Sequence, residues 1–190
     1  MNFLESLVAE WYEYNGYFVR SNPRTRKRPN GGYDVELDVL AYTPSDRRLI
    51  HIETSGDANS WQERKDRFLK KKFILSNEEY ENIIGSKINA IERVAVVGWG
   101  ATKTDLNWGI GIRVKLIPEL IEEITSKLQK TSPLKEAVPE SFPLLRSMQM
   151  ALAFGIKNRS TKRLSRSQPA GLFRSRYTGQ LSRGSVEHFK

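Results

Sequence analysis

Asp38 and Glu53 are the residues of this sequence best placed to do chemistry together. Both lie in the stretch GGYDVELDVLAYTPSDRRLIHIETS, residues 31–55. Residues 33–42 alternate, with Val35, Leu37, Val39 and Ala41 on one face and Glu36, Asp38, Leu40 and Tyr42 on the other. Residues 48–55 alternate likewise, Ile50 and Ile52 against Leu49, His51, Glu53 and Ser55. Such alternation marks two strands, and Thr43-Pro44-Ser45-Asp46 supplies the turn between them. With Thr43 opposite Arg48, Leu40 faces His51, Asp38 faces Glu53 and Glu36 faces Ser55. That register predicts one apolar face and, on the other, three carboxylates (Glu36, Asp38, Glu53) with Cβ atoms roughly 5 Å apart. Like charges so close repel, so a cation is expected to offset them, most simply a bound divalent metal. A slip of one residue would undo the cluster.

The neighbouring elements must hold these two strands. Residues 2–15 predict a helix whose stripe is Leu4, Leu7, Val8 and Trp11, extended by Phe3 and Tyr14 and ended by Asn15-Gly16. On its flanks Glu5 and Glu10 are either solvated or able to reach round toward the sheet. Residues 17–20 predict a short strand. The loop SNPRTRKRPNGG follows, with Arg24, Arg26, Lys27 and Arg28 either simply exposed or holding a phosphate backbone near the carboxylates. After Ser55, residues 56–60 can cap a helix at Asn59 or Ser60, and that helix runs to about Phe73. Lys65 and Lys72 fall inside its apolar stripe of Trp61, Phe68 and Leu69. Each either snorkels outward or points its ammonium at the carboxylates, Lys65 being the natural candidate for the second role. A short helix is expected over 76–85, a buried strand over 93–97, irregular chain over 101–109 and a strand over 111–117. A helix begins at Pro118 and runs to 130, prolines 133, 139 and 143 mark a linker, and 141–155 form one more helix.

The 190 residues carry a net charge of +9, unevenly placed. From residue 156 onward nine Lys/Arg face a single acid, Glu187, so residues 1–155 hold only +1. The organisation expected is an α/β domain over 1–130, a Pro-containing linker with a possible helix over 131–155, and a basic, flexible tail over 156–190. Such a polycation either is a solvated end or binds a polyanion, nucleic acid first. The absence of Cys excludes disulfides and thiolate metal sites. No apolar run is long enough to span a membrane, and the acidic amphipathic start is unlike a secretion signal. A soluble cytoplasmic protein is the expectation.

The order helix, three strands, helix, strand, strand, with carboxylates on the second and third strands, resembles the PD-(D/E)XK nuclease superfamily. Within it the chain is most similar to Holliday-junction resolvases and Mrr-type restriction enzymes. LESLVAEWYEYNGYFV resembles the family's first helix, with Glu5 ahead of Gly16-Tyr17. GGYDVELDVLAY resembles the strand carrying the metal-binding Asp, here Asp38, and LIHIETS the strand carrying Glu-x-Lys, here Glu53-Thr54-Ser55. The resemblance spans residues 3–75, with the order continuing to about 117. It implies a restriction-endonuclease-like core (αβββαβ, a mixed central sheet flanked by helices), DNA as partner, Mg²⁺ or Mn²⁺ as cofactor, and a possible homodimer.

By that resemblance Asp38, Glu53 and the Thr54 carbonyl would ligate the ion, and Glu5 a second ion or its water. The ion supplies an activated water and neutralises charge on the phosphodiester. His51 is either a packed residue or a proton carrier, and Glu36 either widens the site or is solvated. The sequence departs from the family at Ser55, which stands where the motif lysine belongs and cannot supply positive charge. Lys65 would then lend the cation. Three functions follow in order: a metal-dependent DNA endonuclease, a catalytically inactive DNA-binding or adaptor protein on a nuclease-derived fold, and a structural module using its acidic face.

Overall fold

A computed structural model describes residues 2–98, 101–102, 106–109 and 111–155. The basic tail, 156–190, lies outside the described residues. Five strands form one mixed sheet in the order β1-β4-β5-β6-β7: β1 (Phe18–Ser21), β4 (Val39–Thr43), β5 (Arg48–Ser55), β6 (Ala90–Val97) and β7 (Ile112–Leu116). β1, β4 and β5 are antiparallel neighbours, while β6 and β7 run parallel to β5. The remaining strands, β2 (Arg24–Lys27) and β3 (Tyr33–Glu36), make a separate antiparallel hairpin.

Helices cover both faces of the sheet. On one face α1 (Phe3–Tyr14), α4 (Ile117–Leu128) and α5 (Pro143–Met150) pack Leu7, Val8, Trp11, Leu120, Ile124 and Leu145 against Val39, Ala41, Ile50, Ile52, Val94 and Val96. On the other, α2 (Trp61–Arg67), a π-helical turn (Phe68–Lys72) and α3 (Asn77–Ile84) cover Leu40, Tyr42, Leu49, Ala95 and Val97 with Phe68, Leu75 and Tyr80. Both faces are therefore apolar, which corrects the expectation of one apolar and one acidic face. A parallel crossover such as β5-α2-α3-β6 lays helices over the second face and removes it from water. No helix among the described residues is long and apolar enough to cross a membrane.

Local chemistry explains where the helices start. Asn2 accepts the Glu5 amide while Glu5 accepts the Asn2 amide, a reciprocal cap at α1. Ser60 with Glu63 does the same for α2, and Ser76 with Glu79 for α3. α3 stops at Gly85, whose φ of 75° is left-handed.

The predicted pairing of the first strands holds over five positions: Thr43 lies opposite Arg48, Tyr42 opposite Leu49, Ala41 opposite Ile50, Leu40 opposite His51 and Val39 opposite Ile52. It stops there. The expected strand over 33–42 is broken at Leu37-Asp38, and its first half, β3, turns away to pair with β2. The Asp38 side chain explains the break. Its Oδ2 accepts both the amide and the hydroxyl of Thr54, at 2.8 and 3.1 Å, taking a donor that a continuing strand would have used.

Candidate functional site

The carboxylate centre is assembled at the C-terminal end of β5, where the β4–β5 ladder ends. Asp38 is 7% exposed and Glu53 fully buried. The Lys72 ammonium bridges them, 3.0 Å from Asp38 Oδ1 and 2.7 Å from Glu53 Oε2. Glu53 Oε1 is held by the Asp38 amide at 3.2 Å and by His51 Nε2 at 2.7 Å. Glu53 Oε2 has no hydrogen-bond partner among the described residues, so the nearby ammonium alone offsets it. Burial works against the Lys72 charge, but the facing Glu53 and Asp38 carboxylates outweigh burial and raise its pKa. Lys72 is therefore an ammonium at neutral pH.

Beyond this trio, His51 is fully buried and its Nδ1 lies 2.7 Å from the Tyr80 hydroxyl. On the other side of Glu53, Ser55 donates its hydroxyl to Asp57 Oδ2 at 2.6 Å, and Arg67 reaches both Ser55 Oγ, at 2.8 Å, and Asp57 Oδ2, at 2.5 Å. Arg64 adds a contact from Nε to Asp57 Oδ1 at 3.2 Å. Burial acts to raise the Asp57 carboxyl. The Ser55 hydroxyl, the two arginines and the Asn59 amide together hold it well below the usual carboxylate range. A cleft of about 780 Å³ opens over this end of the sheet, bordered by Glu5, Asp38, Asp57, Arg67, Phe68 and Lys72.

The predicted residues fare differently. Asp38 and Glu53 meet, and Thr54 lies beside them through its bonds to Asp38. Glu36 does not join: it sits in β3, exposed, paired with Arg24 at 2.8 Å. The three-carboxylate cluster is thus two carboxylates, because the break at Asp38 carries Glu36 away. Lys65 does not reach the site either; its ammonium donates to the Asn107 carbonyl at 2.9 Å. Lys72 takes the place that the sequence assigned to Lys65. The π-helical turn at 68–72 inserts extra chain per turn and rotates Lys72 relative to an uninterrupted helix. Glu5 borders the cleft, but its carboxylate closes the α1 cap and accepts from Asn22 at 3.3 Å.

The basic loop is a hairpin, and its arginines are matched by acids. Arg24 pairs with Glu36, Arg26 with Glu79 through two bonds at 2.7 and 3.1 Å, and Arg28 with Asp34. Lys27 lies exposed at the end of β2.

Asp57, Arg67 and Tyr80 escaped sequence reasoning. The first sits in a stretch that reads only as a capping loop, and the other two are helix residues whose partners, Ser55 and Asp57 for Arg67 and His51 for Tyr80, lie outside their own helices. A lysine inside an apolar stripe was the signal for Lys72, and the sequence shows two of them.

No protein-family model matches the sequence, and no curated protein matches it. Among solved structures the chain is similar to the crystal structure of AF1548, a protein of unknown function. The two share 12% identity over 80% of this chain and 98% of that one, with a TM-score of 0.43.

Proposed function

We propose that the chain is a metal-dependent endonuclease that hydrolyses phosphodiester bonds of DNA, built on a PD-(D/E)XK-like core. One observation carries the reading: two buried carboxylates, Asp38 just before β4 and Glu53 on the neighbouring β5, converge on one point together with a lysine. The order α1, β1, β4, β5, α2, β6 around them, antiparallel and then parallel, supports the same core.

The donor set fits Mg²⁺ or Mn²⁺. Asp38 Oδ1 and Glu53 Oε2 are hard oxygens that already share one cation, and Glu53 Oε2 is a buried acceptor without a hydrogen bond. Among the described residues no three His, Cys, Asp or Glu side chains group as a metal cage. Mg²⁺ suits such a site, since it is commonly held by one or two carboxylates with water and substrate phosphate completing the shell. Bound there, the ion would supply an activated water and charge neutralisation at the phosphodiester. Lys72 would turn its ammonium to the scissile phosphate, the role that Ser55 cannot fill. Arg67 would hold a flanking phosphate from the cleft wall, and Lys27 with the 156–190 tail would add sequence-independent attraction.

A second reading has its own observation. Lys72 neutralises the pair as it stands, so a protein that binds DNA without cutting needs no ion at this point. Titration of Mn²⁺ into the protein and into Glu53→Gln, alongside cleavage of plasmid and single-stranded DNA, separates the two. Metal binding and cleavage that both disappear in Glu53→Gln are expected. DNA binding without metal uptake or cleavage would establish the inactive reading.

A further inference from the structure

The buried pair His51 and Tyr80 lies behind the carboxylate centre and has no part in the chemistry above. Both are fully buried, and their rings meet edge to face, with centroids 5.5 Å apart. The three side chains Tyr80, His51 and Glu53 form one line, each link 2.7 Å long.

We propose that Tyr80 is a positioning residue of the carboxylate centre: its hydroxyl donates to His51 Nδ1, which fixes the Nε2–H tautomer, pins Glu53 Oε1 and leaves Glu53 Oε2 turned to Lys72. The proposal rests on Glu53 being a functional carboxylate. The direction of the bonds follows from their ends. An ionised carboxylate only accepts, so His51 Nε2 must carry the hydrogen that faces Glu53. In the proposed arrangement Nδ1 is the accepting lone pair and the Tyr80 hydroxyl, 2.7 Å away, is its donor. Tyr80 can donate: burial pushes its phenol up to about 12, so the hydroxyl keeps its hydrogen. The Arg93 guanidinium, 5.9 Å from the Tyr80 ring centre, faces it from β6.

Geometry shows what this achieves. Glu53 Oε1 has two donors, His51 Nε2 and the Asp38 amide, while Oε2 has only the ion pair with Lys72. The two oxygens are thereby divided, one anchored to protein and one turned toward the Asp38–Lys72 side. Without the tyrosine hydroxyl, His51 is free to carry its hydrogen on Nδ1, and a bare Nε2 would then face a carboxylate oxygen. Partners of this kind, one step behind a metal ligand, commonly change metal affinity by ten- to a hundredfold.

Tyr80→Phe keeps the ring and removes the hydroxyl. The chain has two histidines, His51 and His188, so long-range ¹⁵N–¹H spectra of the metal-free full chain assign readily against His51→Gln. The wild type is expected to show His51 as the Nε2–H tautomer, and Tyr80→Phe to show tautomer exchange. Mn²⁺ affinity is expected to fall about tenfold in Tyr80→Phe. An Nδ1–H tautomer or an imidazolium at His51 in the wild type overturns the proposal, even if Tyr80→Phe does not fold. So does a Tyr80→Phe protein with an unchanged tautomer and unchanged Mn²⁺ affinity. A wild type that takes up no Mn²⁺ instead defeats the metal-site reading, and the metal-free spectrum still decides Tyr80.

Discussion

The carboxylate centre and the β2–β3 hairpin contain the same kinds of charge in opposite surroundings. At the centre, Asp38 and Glu53 are withdrawn from water and Lys72 is half-buried beside them, and each contact is one of few available. On the hairpin, Arg24–Glu36 and Arg28–Asp34 are ion pairs whose side chains are about half exposed. Water competes for those pairs and screens them, so each contributes little. In the interior, removing one partner leaves the other stranded, which is far more costly than the pair was ever worth. Position, rather than charge, divides a buried centre from a solvated arm. The hairpin still touches the centre: Lys72 also donates to the Glu36 carbonyl at 3.2 Å, and Arg26 holds Glu79, the residue before Tyr80.

The sharpest way to break this contrast is Lys72→Met. Two buried carboxylates would then face each other without a cation, and unfolding in urea without metal should show a loss of about 3–5 kcal/mol. If the nuclease reading holds, Mn²⁺ takes over the ammonium's place and returns about 2.7 kcal/mol at a hundred times its Kd. A variant indifferent to both changes would remove the centre's special status.

Asp38→Asn tests the same centre with a smaller expected cost. The amide keeps an acceptor for Thr54 but withdraws one charge from Lys72. DNA cleavage should be lost, while urea melts shift by about 1–3 kcal/mol, as for a hydrogen bond to a charged group.

Acid should separate the regions next. Glu79 is held at about 2, below its ordinary 4.5, chiefly by its bond to Arg26 with help from the Ser76 amide. A carboxyl lowered in the fold contributes stability above its unfolded value and loses it as pH falls through the folded one. Thermal melts should therefore decline between about pH 4.5 and 2. Arg26→Gln should flatten that decline, and an unchanged slope would show that the Arg26 bond does not set it.

The smallest effect is expected at Arg24→Ala. The exposed pair with Glu36 should be worth less than about 1 kcal/mol, and less again in high salt. A loss of several kcal/mol would mean that the hairpin is not the screened arm described above.

Much of the sheet was legible because its signals are local. Alternation in residues 39–43 and 48–52, with the turn at 43–46, sets the pairing of β4 and β5. The cap at Ser60 and the Gly85 stop are likewise short-range. The break at Asp38 was hidden, because the alternation of residues 33–42 runs on unbroken through it. What ends the strand is a side chain bonding to Thr54, on another strand. The hairpin was hidden for a related reason: β2 (Arg24–Lys27) carries no apolar alternation and includes Arg26 at a positive φ of 58°.

By itself the sequence determined that Glu53 on one strand and an acid at the start of its neighbour would approach one place, since the period of the paired strands and a short turn leave little freedom. Only the tertiary structure decided what stands with them. Whether Lys65 or Lys72 reaches the acids depends on one π-helical turn, and whether Glu36 joins depends on where the ladder stops. Both are settled by packing against distant residues, which the spacing of side chains along the chain does not encode.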